Sequence, residues 1–500
     1  MLYNEFGSKR YHSTMRGMES FMVRGGIKGS VSMALAAMLL LAACSGGGGG
    51  GSSAPSPAPG GAGSGGSGQS TPAPSASPSS APEEKEPVTL QMVWWAPQTP
   101  EWQRMLDAFH EEYPWITVEP IQITNGVTDG IGQQVMESIA AGNPIDIFWN
   151  NSMDYVYESE LYEDLTPWIE NDPEFKSYPF KKGYLETFQI DGRQIGIPHS
   201  SDAFMVFINK DLLKLYGLEM PSLDWTWDDY RALAKAATNP DAGHYGISQE
   251  PNTEFFRWTY ALLTVPYANG HAPNMGYMNE DWTRNLADGS VPEILDDLNL
   301  MHEILTKDGS MLNAARAEAA GLAGVDTWAS GQSLLHLFIT PGIPGFRNSL
   351  NFEWDILPMP AGKVRQANFV WINPWFMSRA SDNKEEAWLF MKWWETNKEA
   401  QKLHMEIAGA FPNTDDPEMV EYFENLSIYD GLNKEALKRA MDTAAYDPTQ
   451  TMIGGRDFAN AYNGYYPKGA FEEVSAHDYF PAAMQDFNNK LKERLEKLKK

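Results

Sequence analysis

Residues 88–95 read VTLQMVWW, residues 116–123 ITVEPIQI and residues 145–149 IDIFW, and two stretches of helical periodicity separate them. The first run suits a strand, because β-branched and aromatic residues favour a pleated, half-buried surface. Pro100 then stands where a first helical turn tolerates a missing N–H, and Trp102, Leu106 and Phe109 share one helical face. Tyr113-Pro114 ends that helix, and Ile116 to Ile123 forms the next strand. Ile131, Val135 and Ile139 mark a second amphipathic helix, stopped at Gly142-Asn143-Pro144. Ile145 to Trp149 is a short buried strand. The order is β-α-β-α-β, which requires a parallel sheet with helices on its faces, and the fold class is α/β. No Gly-x-Gly-x-x-Gly or Walker loop joins strand to helix, so nothing supports a nucleotide site.

Downstream, Gln194 to Pro198 and Phe204 to Asn209 read as two extended pieces. Thr226 caps a helix from Trp227, with Asp229 at its third position. Phe255 to Leu263 and Val291 to Leu305 are apolar-periodic helices, and Leu334–Ile339 and Phe352–Leu357 are strands. Asp382 followed by Glu385 has the form of a capping box opening a helix to about Lys402. The segment from Pro481 to Lys500 is a charged amphipathic helix.

Upstream, Arg24 and Lys28 precede an apolar run, Val31 to Ala43, that ends in Leu41-Ala42-Ala43-Cys44. The run falls short of the ~20 residues that span a bilayer as a helix, and its basic flank and small terminal residues make it a signal peptide. Leu-Ala-Ala-Cys resembles the lipobox of bacterial lipoproteins, which implies that Cys44, the chain's only cysteine, is lipidated after cleavage. Met15, Met18 and Met22 are alternative initiators. From Ser45 to Ala81 the chain is Gly, Ser, Pro and Ala apart from Gln69 and Thr71, too poor in apolar surface to offset its ordering entropy. Such a linker reaches roughly 35 Å and lifts a domain from a membrane surface. The expected division is a signal peptide 1–43, a lipidated linker 44–86 and a folded part 87–500.

The roughly 415 residues beyond the linker exceed what one hydrophobic core sustains, so two lobes are expected. The leader carries a net +3 through Ala43, which takes the whole-chain −28 to −31 for the mature chain. That charge excludes nucleic acid and anionic lipid headgroups as partners. The 17 Trp and 21 Tyr supply flat faces in abundance.

Several segments resemble, in order, the extracellular solute-binding protein family of carbohydrate ABC importers, the maltose-binding-like group. They are Trp115-Ile116-Thr117-Val118, Gly142-Asn143-Pro144-Ile145-Asp146-Ile147 (Ile145 standing for the usual proline), and Ile195-Gly196-Ile197-Pro198-His199-Ser200. Asn209-Lys210-Asp211-Leu212, Trp225-Thr226-Trp227-Asp228-Asp229, Asn269-Gly270 and Glu385-Glu386-Ala387-Trp388-Leu389-Phe390 follow. The resemblance implies a two-lobed, periplasmic-binding-protein-like (type II) fold that closes about a hinge. One lobe takes about 88–201 and 365–410, the other about 202–364 and 411–500. It further implies a monomer held by Cys44 on the outer face of a Gram-positive plasma membrane, a carbohydrate ligand, and permease subunits as partners. No cofactor and no catalysis are implied.

Ligands of open α/β sheets sit beyond the carboxyl ends of strands. That rule selects Trp94, Trp95, Ala96 and Gln98 after the first strand, and Asn150, Asn151 and Asp154 after the third. Aromatic rings would take a sugar's C–H face, and amides and carboxylates its hydroxyl rim. The resemblance adds Ser200, Ser201 and Asp202 at the hinge, Trp258 and Asn269, Thr340-Pro341, Asn373 and Trp375, and Tyr465 or Tyr466. Trp94 and Trp95 are neighbours on a strand and point oppositely, so one belongs to the core. Trp258 shares a helix with Phe255 and Leu262, and packing explains it equally well. Trp393 and Trp394 are read as packing.

Other chemistries find less. The nine histidines include no His-Glu-x-x-His, so no metal site is expected. No Gly-x-Ser-x-Gly elbow occurs. A tethered glycoside hydrolase or lyase needs only two carboxyls ~5–9.5 Å apart, and the 66 acids supply many pairs. A glycan-binding sensory lipoprotein would share every residue named above.

Overall fold

The computed structural model describes residues 85–94, 99–123, 129–249, 254–446, 452–470 and 472–498, without the side chains of 129, 254–260, 466, 467, 470 and 498. The leader, Cys44, the linker proper and Trp95, Ala96 and Gln98 lie outside the described residues, as do the side chains of Trp258 and Tyr466.

Strands β1 (Val88–Trp94), β2 (Ile116–Gln122) and β3 (Ile147–Trp149) alternate with the helices Pro100–Glu112 and Asp129–Ala140. β1 pairs in parallel with β2 and with β3, which is the β-α-β-α-β sheet read from the periodicity. Trp102, Leu106 and Phe109 are buried together with Met105, one helical stripe against the sheet. A two-stranded ribbon, β4 (Gln189–Ile190) and β5 (Arg193–Gln194), precedes the long β6 (Ile197–Asn209). β7 (Tyr245–Ile247), β8 (Ser333–Ile339), β9 (Trp354–Leu357), β10 (Asn368–Met377) and β11 (Ala444–Tyr446) complete the set.

The sheet path runs β2-β1-β3-β10-β6-β8-β7, with β11 beside β10 and β9 beside β6. β6 and β10 connect two bodies of core. The first half of β6 pairs antiparallel with β10, and from Phe204 onward β6 pairs with β8 and β9. β10 in turn reaches β3 through Trp375, Phe376 and Met377. One core packs β1 and β3 residues such as Leu90, Met92 and Phe148 with Phe390 and Met391. Beyond Asp202, successive β6 side chains divide between two further cores. Phe204, Val206 and Ile208 join Leu335 and Leu337, whereas Ala203, Met205 and Phe207 join Ile356 and Trp328. A period of two explains that division, since adjacent strand residues face opposite sides.

Three expectations require correction. Gln194–Pro198 and Phe204–Asn209 are not separate pieces, because Ile197–Asn209 is one strand with all 13 residues buried. The polar run His199-Ser200-Ser201-Asp202 hid it, and neighbouring strands supply the backbone partners that its composition seemed to need from water. The helix after Asp382 starts at Lys384 and stops at Thr396, and its cap, Asn383, makes no side-chain cap bond. Asn397 breaks it and caps Lys398–Ala408 by accepting from the N–H groups of Glu399 and Ala400. Finally, Val291–Leu305 divides at Asn299 and ends in a π-turn, Ile304–Asp308, closed by Gly309 at φ +63°. The cap at Thr226 is as expected and forms a full capping box with Asp229.

Gly246, inside β7, shows how closely helix and sheet approach. A Cβ there would stand 2.0 Å from the backbone oxygen of Ala234. Gly246→Ala is expected to lower unfolding free energy by about 1–3 kcal/mol, read as a lower urea midpoint at unchanged slope.

Candidate functional site

Pro198 and Pro374 stand opposite each other where β6 crosses β10, and Asn373 stands opposite Ser200. Neither proline donates a ladder hydrogen bond, so His199 is left without a register partner and the strand bulges. Just beyond the bulge, Asn373 Nδ2 donates to Ser200 Oγ at 2.8 Å and to Asp202 Oδ2 at 2.9 Å. Asn373 Oδ1 accepts from Trp149 Nε1 at 3.3 Å. Four residues from β3, β6 and β10 thereby converge where the strands cross between the cores. All four are buried. Burial raises the Asp202 carboxyl to about 7, the Asn373 bond opposing it. Near neutral pH this carboxyl exchanges between hydrogen-bond donor and acceptor, a property suited to hydroxyl partners.

The turn after β3 is built from its own side chains. Asn150 Oδ1 accepts from the N–H of Ser152 at 2.7 Å, and Ser152 Oγ caps the helix Met153–Glu158. Asn151 Oδ1, shielded from solvent, finds no partner among the described residues. Asp154 faces Arg494 from the C-terminal helix, Oδ2 lying 3.2 Å from Nη1. Burial lifts its carboxyl above the ordinary value, with Arg494 opposing.

The remaining expected residues lie elsewhere. Trp94 and Trp375 belong to a cluster with Trp102 and Trp394, Trp94 lying 4.6 Å from Trp102, 5.3 Å from Trp394 and 5.7 Å from Trp375. His199 stacks on Trp375 at 4.2 Å. Both tryptophans are therefore placed in the core, Trp375 with no exposed surface. Ser201 points into a different network. Its hydroxyl donates to Asn413 Oδ1, and Asn413 Nδ2 donates to Glu395 Oε2 at 3.0 Å. Burial holds Glu395 well above the carboxylate range and brings His404 down to about 3. Asn269 is occupied at a helix end, donating to Asp297 Oδ1 at 2.7 Å and accepting from the N–H of Lys363 at 3.0 Å. Thr340 is buried at the end of β8, its hydroxyl without a partner among the described residues. Tyr465 packs 4.8 Å from Phe480 in the core beyond β6.

Of the expected residues the structure thus brings together Asp202 and Asn373, with Ser200 beside them. It adds Trp149, which ends a strand and so carried the positional signal, and Arg494, which a charged amphipathic helix disguised. Among the described residues no group of three His, Cys, Asp or Glu side chains could hold a metal ion. Nor is any described helix long and apolar enough to cross a membrane.

Comparison with known proteins agrees with this architecture. The family model described as bacterial extracellular solute-binding protein matches residues 95–401. An ABC substrate-binding protein of Listeria monocytogenes, solved in complex with cycloalternan, superposes with a TM-score of 0.69 at 22% identity, over 82% of this chain and 100% of that one. The cyclic α-maltosyl-1,6-maltose binding protein of Arthrobacter globiformis gives 0.61 at 17% identity, over 81% and 100%. A Mycobacterium tuberculosis protein in complex with glycerophosphocholine gives 0.62 at 14% identity, over 83% and 100%. At these identities the likeness establishes a shared two-lobed α/β fold.

Proposed function

This chain belongs to the family of bacterial extracellular solute-binding proteins, and on that premise we propose that it captures a neutral carbohydrate between its two lobes for an ABC importer. The observation that carries the reading is the Trp149–Asn373–Ser200–Asp202 cluster on the crossing strands. An amide, a hydroxyl and a carboxyl that titrates near neutrality offer both donors and acceptors to a rim of hydroxyls, beside an indole. The solved relatives that hold cycloalternan or bind cyclic maltosyl-maltose lend the same support. The protein that holds glycerophosphocholine raises the alternative of a phosphodiester. A buried Asp202 argues against it, because ionised it would repel a phosphate, and the cluster itself carries no cation. Arg257 and Arg347 are the cations that would favour acidic sugars; the side chain of Arg257 lies outside the described residues, and Arg347 is committed to the backbone oxygens of Ile428 and Asp430. The N-terminal reading completes the proposal: Cys44, lipidated, tethers the capture domain to the outer face of the plasma membrane, and the closed domain docks as a monomer on permease subunits.

Tryptophan fluorescence and melting temperature, followed against neutral oligosaccharides, monosaccharides, uronates, glycerophosphodiesters and amino acids, test the reading. A saturable response to neutral sugars, with the sugar recovered uncut, supports it. Cleaved sugar would replace capture by hydrolysis, and a response to phosphodiesters alone would replace the ligand class. Asn373→Ala is expected to weaken the responding sugar at least tenfold while far-UV circular dichroism stays unchanged, since it frees Ser200 and Asp202 from their common donor.

A further inference from the structure

The helix Met153–Glu158 is anchored in the core of β1–β3 by Met153 and Val156. The helices Gly455–Asn463 and Ala476–Leu498 are anchored in a core beyond β6 by Phe458, Tyr462, Phe487 and Leu491. Four charged side chains, Arg494, Arg456, Asp154 and Glu158, join these two bodies, and Asp457 holds Arg494 from its own body. Arg494 Nη1 meets Asp154 Oδ2 at 3.2 Å and Glu158 Oε1, and Nη2 meets Asp457 Oδ2 at 2.9 Å. Arg456 Nη2 lies 3.5 Å from Glu158 Oε2, and its guanidinium carbon lies 5.6 Å from the centre of the Tyr155 ring. The backbone N–H groups of Gly454 and Arg456 also bond to Asp154. The Asp154 side chain is only 8% exposed and that of Arg494 21%, so these charges are screened far less than surface pairs.

We propose that Arg494 and Arg456, gripping Asp154 and Glu158, form a latch that holds the two lobes together without ligand and sets how often the chain opens. Each member is fixed to its own lobe by apolar neighbours, so cutting the ion pairs leaves both cores intact and releases only their mutual position. Removing Arg494 takes the guanidinium from a buried carboxylate, and lobe opening is the move that hydrates it. A ligand that needs the closed form then binds more weakly in proportion to the closed fraction lost. This inference rests on the two-lobed fold and does not depend on which solute is captured.

The test uses the full chain without ligand, with Cys44→Ser and spin labels at Glu137→Cys and Lys492→Cys, one on each lobe. Electron–electron distance measurements are expected to show a short population in this parent and a roughly tenfold rise in the open-to-closed ratio in Arg494→Met. Glu158→Gln, half-exposed and safe for folding, provides a second variant with a smaller shift in the same direction. Identical distance distributions in the parent and both variants would overturn the latch. They would leave the solute reading untouched, because no ligand enters the measurement.

Discussion

Asp202→Asn is expected to stabilise the ligand-free protein above pH 7 and to weaken ligand capture at least tenfold. In the unfolded chain an aspartate loses its proton near pH ~3.9, whereas Asp202 in the folded chain holds it to about 7. A group with a raised folded value contributes stability that is complete below the unfolded value and is lost as pH rises through the folded one. Between pH ~4 and ~7 the parent therefore loses up to ~1.4 kcal/mol per pH unit from this residue, with ~4 kcal/mol as a ceiling. The variant lacks the titration but keeps an oxygen to accept from Asn373 Nδ2, now 2.9 Å from Asp202 Oδ2. Melting temperatures of the two should coincide near pH 4 and diverge by several degrees at pH 8, the variant higher. Parallel melting profiles from pH 4 to 8 would refute the assignment. The gain would come with lost affinity, the usual relation at a site kept strained for function.

The largest purely structural effect is expected at Trp394. Its ring lies 5.3 Å from Trp94 and 5.6 Å from Trp375, both edge-on, and its Nε1 donates to the backbone oxygen of His199 at 3.0 Å. Trp394→Ala removes a fully enclosed indole and leaves that oxygen without its donor. A loss of about 3–5 kcal/mol in unfolding free energy follows, the range for buried aromatic deletions. It would appear in urea titrations as a lower midpoint at an unchanged slope. A loss under about 1 kcal/mol would mean that the four-tryptophan cluster collapses around the gap. Because His199 belongs to the crossing strand, the same substitution is expected to loosen the bulge at His199 and to reduce ligand affinity as well.

The elements were legible wherever a local pattern wrote them. Trp102, Leu106 and Phe109 announced one helix face, and Thr226 with Asp229 announced a cap. Both patterns involve residues only three or four apart, so neighbours in the chain are neighbours in space. Legibility failed at His199-Ser200-Ser201-Asp202, where a polar run turned out to be the middle of a wholly buried strand. Composition reports what a segment would do in water, and this segment is not in water.

The candidate site divides along the same line. Asp202 and Asn373 were named from resemblance, but their bond spans 171 residues of sequence and exists only because β10 returns beside β6. Trp94 and Trp375 matched positions where a sugar platform was expected, and packing against Trp394 took them into the core. Asp154 was chosen as a loop carboxylate, and it meets Arg494 from 340 residues away. By itself, then, the sequence determined the opening β-α-β-α-β with its parallel pairing, the cap at Thr226 and the need for two lobes, since these follow from short-range periodicity and chain length. Which polar groups meet, and which aromatics are left for a ligand, was decided by tertiary structure, because the partners that settle a side chain's energy arrive from distant segments.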